Sequence, residues 1–112
     1  MKASRELLDL HRALVAAERE QYERARGRMA DQEFLDALLR DPELRWLAPF
    51  TALVARLDEV DESELRDLLR PDPDGSGFQR RYADALQRSA DVAVAHGHAM
   101  RALRGATTRA GR

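Results

Sequence analysis

The sequence predicts an all-α fold, an antiparallel helical bundle of three long helices and one short one. Three observations predict it. Apolar residues recur at helical spacing through most of the 112 residues. Gly27, Pro42, Pro49 and the run Pro71-Asp72-Pro73-Asp74-Gly75-Ser76-Gly77 punctuate the chain. No alternating strand pattern and no internal repeat is present, and helices joined by short breakers pack as bundles.

The first helix is expected from Ser4, as N-cap, to about Arg26. Leu7, Leu14, Tyr22, Ala25 and Met29 form its apolar stripe, widened by Leu8, Leu10 and Val15. A short second helix, capped by Asp31, presents Phe34, Leu35, Leu38 and Leu39 on one edge. Asp41-Pro42 then restarts the chain as a helical turn over 42–47 carrying Trp46, because proline at 49 cannot lie in a helix interior. From about Ala48 a third helix buries Leu47, Phe50, Val54, Leu57, Leu65 and Leu68, pausing near Ser63. The fourth is expected as one helix from Phe78 to Leu103, with Phe78, Tyr82, Ala85, Leu86, Val92, Met100 and Leu103 facing inward. Residues 1–104 thus make one domain, and 105–112 a basic flexible tail.

Composition narrows the function classes. With 44% hydrophobic and 35% charged residues the chain is a folded domain, and with only 5% aromatics its core rests on Leu, Val and Ala. Zero cysteines exclude disulfides, thiolate metal sites and cysteine nucleophiles. Arg5, Glu6 and Asp9 occupy the place where a signal peptide needs apolar residues. The longest apolar run, Ala13 to Ala17, is far short of the roughly 18 residues of a membrane span. The expectation is a cytoplasmic protein with no membrane partner. The net charge of −1 hides a segregation: residues 31–74 hold 13 acids against 5 arginines, while both flanks are net basic. An acidic middle can meet basic ends within one fold or in a second copy of the chain.

A helical wheel places His11 and Glu18 at the centre of the first helix's apolar face, and His96 and Ser89 at the centre of the fourth's, with His98 outward. Antiparallel packing sets His11 at about the height of His96. Inward polar groups cost several kcal/mol unless satisfied, so two readings stand. In one, Glu18 joins a buried network with a histidine, Tyr82 or an arginine that fixes helix register. In the other, His11, Glu18 and His96 hold a metal, a haem or a small ligand. Zinc fits poorly, because seven residues of helix place His11 and Glu18 about 10 Å apart. For haem, His11 with His96 or Met100 would be the axial pair, a placement similar to that in the four-helix cytochrome b family; no Gly/Ala-lined pocket accompanies it. No metal or cofactor is therefore predicted.

Other chemistry is absent. The loop from Asp72 matches the first half of a calcium loop, but its twelfth position is Ala83 instead of glutamate. None of Ser4, Ser63, Ser76 and Ser89 sits in a nucleophile elbow, and no glycine-rich phosphate loop occurs. Arg101, Arg104, Arg109 and Arg112 cluster late in the chain without the aromatic interleaving of a nucleic-acid surface. No catalytic residue is assigned.

The run LLDLHRALVAAERE, followed by FLDALL and DPELRWLAPFTALVARLDE, resembles an uncharacterised family of short helical bacterial proteins. The resemblance spans roughly the first sixty residues, and its most distinctive parts are the His11–Glu18 spacing and the turn from Trp46 to Pro49. It implies the helical fold and carries no active site. Trp46 reads as a core anchor or a plug at a dimer seam. The expected function is a non-enzymatic protein that self-associates, as a dimer, or binds a protein partner; a ligand-binding bundle built on His11, Glu18 and His96 is the alternative.

Overall fold

The apolar stripe of the first segment folds as one continuous helix, α1 (Ser4–Arg26), which buries Leu7, Leu10, Leu14, Glu18 and Tyr22. Its N-cap is Ala3 in place of the expected Ser4. It stops at Gly27, whose φ of 91° only glycine adopts without strain, and the Gly27 N–H closes on Glu23 O at 2.6 Å. The structure, a computed structural model, describes residues 3–110, with side chains described as far as residue 104. The expected basic tail, including Arg109 and Arg112, lies outside the described side chains.

All described elements are helical. α1 is followed by α2 (Asp31–Arg40), a 3-10 turn (Arg45–Leu47), α3 (Ala48–Val54), α4 (Glu62–Leu68), α5 (Gly77–Arg88) and α6 (Ala90–Ala110). No helix among the described residues is long and apolar enough to cross a membrane. The expected four helices are thus six. The third is divided between Val54 and Glu62, and Asp61, not Ser63, caps its second half by accepting from the Ser63 N–H at 3.0 Å. The fourth is divided at Ser89, whose extended backbone (φ −126°, ψ 116°) ends α5 and whose hydroxyl accepts the Val92 N–H at 3.3 Å to start α6. Ser89 is therefore a helix break and not an inward position on a continuous helix. The loop Asp72–Gly77 serves as the start of α5: Ser76 and Gln79 make a reciprocal capping box.

Proline at 49 acts as anticipated. It sits in the first turn of α3, where the missing N–H costs nothing, after a 3-10 turn that carries Trp46. α1 lies along α6 in the opposite direction: Arg5 and Asp9 stand beside His98 and Arg101, while Glu20 and Gln21 stand beside Arg88 and Asp91.

The core has two parts. The larger joins Leu7, Leu10 and Leu14 of α1 to Phe50 and Leu53 of α3, Leu65 and Leu69, Tyr82 and Ala85 of α5, and Val92, Ala99 and Leu103 of α6. Leu53 and Leu69 were not among the expected inward residues. The smaller holds Tyr22, Phe34 and Leu44, and secures α2. The Tyr22 hydroxyl donates to Asp41 Oδ2, and Arg26 lies 4.0 Å over the Tyr22 ring while its guanidinium reaches Glu43 at 3.0 Å. That phenol and the Glu43 backbone N–H hold the Asp41 carboxyl below its ordinary value. Of the expected greasy edge of α2 only Phe34 is buried; Leu35 and Leu39 remain 51% and 75% exposed.

Phe50 is fully buried and its ring meets both His11 and Phe78. Phe50→Ala is expected to destabilise the fold by about 3–5 kcal/mol, read as a lowered urea midpoint at unchanged slope. A loss under about 1 kcal/mol would show that the site collapses without the ring.

Candidate functional site

The inward polar residues do not gather at one point. His11, half-buried on α1, places Nε2 2.9 Å from Thr51 Oγ1 and its ring edge-on to Phe50 at 5.4 Å. His96, half-buried on α6, places Nδ1 2.6 Å from the Tyr82 hydroxyl. Between the two histidines runs a path of ring contacts through Phe50, Phe78 and Tyr82, with centroid spacings of 5.4 to 6.3 Å. Trp46 joins this path from the side, 5.4 Å from Phe78. It is a half-buried anchor of the core edge.

Glu18 is 8% exposed, the one charged residue in the buried set. It takes a hydrogen bond from Arg88 Nη2 at 3.1 Å. Arg88 also donates to Asp84 at 2.7 Å and to Gln21, so one guanidinium at the end of α5 ties α1 to α5. Its own charge is strengthened by the acids around it, against the penalty of burial. Ser89, next in the chain, turns to Val92 and does not enter this network.

The Tyr82–His96 pair has a definite proton arrangement. Tyr82 is fully buried, and burial pushes its hydroxyl well above the usual phenol range, so it keeps its proton. A neutral buried phenol facing His96 Nδ1 is satisfied as the donor, which makes Nδ1 the acceptor and leaves the histidine proton on Nε2. Burial also holds both His11 and His96 below the ordinary imidazole value. These are groups suited to remaining neutral.

As a metal centre the arrangement has little to offer. Each of His11, Glu18 and His96 is engaged with a different neighbour, and no group of three or more His, Cys, Asp or Glu side chains able to hold a metal occurs among the described residues. Of the residues that complete these contacts, Phe50 and Phe78 were expected in the core, whereas Thr51 and Arg88 were not singled out from the sequence. Only Arg88 had a local sign, its i,i+4 spacing from Asp84.

The surface offers more. A groove of about 530 Å3 runs between α1 and α2, with Leu8, Val15, Phe34, Leu35 and Leu38 along its walls. Arg12 and Arg19 stand on the α1 side and Asp31 on the other, with Arg19 reaching Asp31 at 2.8 Å. Leu8 is 44% exposed at its margin. No protein-family model, no curated protein and no solved structure matches the chain.

The two histidines set a pH dependence. Their folded values lie below the unfolded 6.5, so protonation favours the unfolded chain. Stability is full above that value and falls as pH drops through it toward the folded values. Denaturation between about pH 7.5 and 5.5 is expected to show this loss, and His11→Asn with His96→Asn to flatten it. An unflattened slope in the double variant would assign the loss to other groups.

Proposed function

We propose that the protein works without catalysis, by associating with a second copy of itself through the α1/α2 face. The observation that carries this reading is the exposed apolar surface around the groove. Leu35 lines the groove together with Leu8, and Leu39, one turn further along α2, is also exposed. Large exposed aliphatic side chains gathered around a concave surface mark association sites more often than isolated ones do.

Charge supports a second copy as the occupant. The α1 margin presents Arg12, 81% exposed and held only loosely by Asp9 at 3.7 Å, whereas α2 presents Asp31, Glu33 and Asp36 to solvent. A two-fold axis that lays α2 of one protomer across the groove of the other pairs each basic margin with an acidic helix, and does so twice. Leu35 and Leu39 then fill the partner's groove. The acidic middle and basic flanks of the sequence make the same match. Trp46 stays with the core edge in this arrangement and does not serve as the seam.

Light scattering at micromolar concentration is expected to return about twice the chain mass of 12.7 kDa. Leu35→Glu and Leu39→Glu should yield single chains that melt as the wild type does at low concentration, since both positions are exposed. A wild-type protein that stays monomeric at about 100 μM would sink the proposal, as that is weaker than about 5.5 kcal/mol of association. A dimer unaffected by both variants would move the interface elsewhere.

A further inference from the structure

His11 is part of the wall of the α1/α2 groove. Along α1 that wall is made by Leu8, His11, Val15 and Arg19, with Arg12 beside them. Residues three and four apart share one face of a helix, so the imidazole sits between the aliphatic side chains of Leu8 and Val15. An occupant that covers both of them covers the ring as well. The ring is half-buried by its own chain, through Thr51 Oγ1 at 2.9 Å and the Phe50 ring, and its remaining surface opens into the groove.

Little stands there to balance a charge on that ring. Of the ionisable groups that line the groove with it, Arg12 and Arg19 carry the same sign as an imidazolium. Asp31, on α2, is the one carboxylate among the described lining residues, and Arg19 holds it at 2.8 Å. α3, packed against the ring through Phe50 and Thr51, has no ionisable side chain. In the two-fold arrangement the acids of the incoming α2, Asp31, Glu33 and Asp36, meet exposed Arg12, while Leu35 and Leu39 meet the wall that holds the ring. A neutral imidazole bonded to Thr51 is covered by leucine at modest cost, whereas a covered imidazolium loses water and gains no carboxylate.

We propose that His11 is a proton-operated release for self-association: two copies join through the α1/α2 face with His11 neutral in each, and separate as the two rings take up protons. The device rests on that face being the contact between copies. Burial by its own chain already holds the ring below the ordinary imidazole value, and cover by a second copy lowers it further, so assembly releases protons. The sign follows from this. Association is full at pH above the value of the single chain and weakens as pH falls through it. Two-fold symmetry places one such ring in each of the two contacts, so each dimer that forms releases up to two protons.

The test is sedimentation of the full chain over a concentration series at about pH 7.5 and about pH 5.5, a window in which surface carboxylates stay ionised. Salt is held constant, and circular dichroism follows the helices at both values. Expected is a dissociation constant severalfold larger at the lower pH. His11→Gln, neutral throughout, should keep the dimer and lose the dependence, whereas His98→Gln, at an exposed position on α6, should keep both. NMR of the His11 ring gives a second reading should the variant not fold or the helices melt at the lower pH. Its titration midpoint is expected to be lower in concentrated than in dilute solution, and independent of concentration in Leu39→Glu. A dimer equally tight at both pH values, or tighter at the lower, overturns the proposal and leaves the α1/α2 contact standing. A dependence that survives His11→Gln, or a ring midpoint that ignores concentration, does the same. A chain monomeric at both pH values removes the contact itself, and this device with it.

Discussion

The ring of Phe78 is the joint on which the rest of the packing depends. It sits in the first turn of α5, and touches Trp46 on the 3-10 turn, Phe50 on α3 and Tyr82 one turn further along its own helix. Through Tyr82 and Phe50 it reaches the two histidines, on α6 and α1. The chain has only six aromatic residues, and four of them meet here. A domain built largely from leucine and alanine thus concentrates its bulkiest, most orientation-dependent contacts at one place. Five of its helical segments then converge on that place.

The polar residues that enter this interior are satisfied locally. Tyr82 and His96 close on each other, His11 meets Thr51 at the edge of the core, and Glu18 holds Arg88 across the helices. Each contact joins two different helices, so each restricts how those elements slide against one another. A leucine-rich interface resists such sliding poorly, because one leucine replaces another at little cost. Among the described residues the buried Nε of Arg66, which has no hydrogen-bond partner, departs from this pattern.

Much of the helical architecture could be read from the sequence. The 3.6-residue periodicity defined α1 to its last residue, and proline at 49 marked the 3-10 turn and the start of α3. The division at Ser89 was not legible, because periodicity continues across it: Phe78, Tyr82, Ala85, Val92 and Leu103 are all buried. A serine competing for the backbone is a weak local signal against that background. Which polar side chains would pair was equally hidden. A wheel shows that Glu18 and His96 face inward, but their partners, Arg88 and Tyr82, depend on how far one helix is displaced along another. Expected burial of Leu8, Leu35 and Leu39 failed for a related reason, since amphipathicity states that a face is apolar and not what covers it.

The thin attachment of α2 has a consequence for motion. Phe34 is its only buried residue, and the remaining hold comes from partly buried Ala37 and Leu38, the Arg19–Asp31 ion pair, and the polar clasp of Asp41 with Tyr22 and Arg26. Elements held by few buried contacts open at lower free energy than the domain as a whole. α2 is thus the natural first foldon to detach, leaving the Phe78 cluster assembled. Detachment uncovers Tyr22 and Phe34 together and widens the groove beside α1, so the size of the exposed apolar face becomes a thermally populated variable.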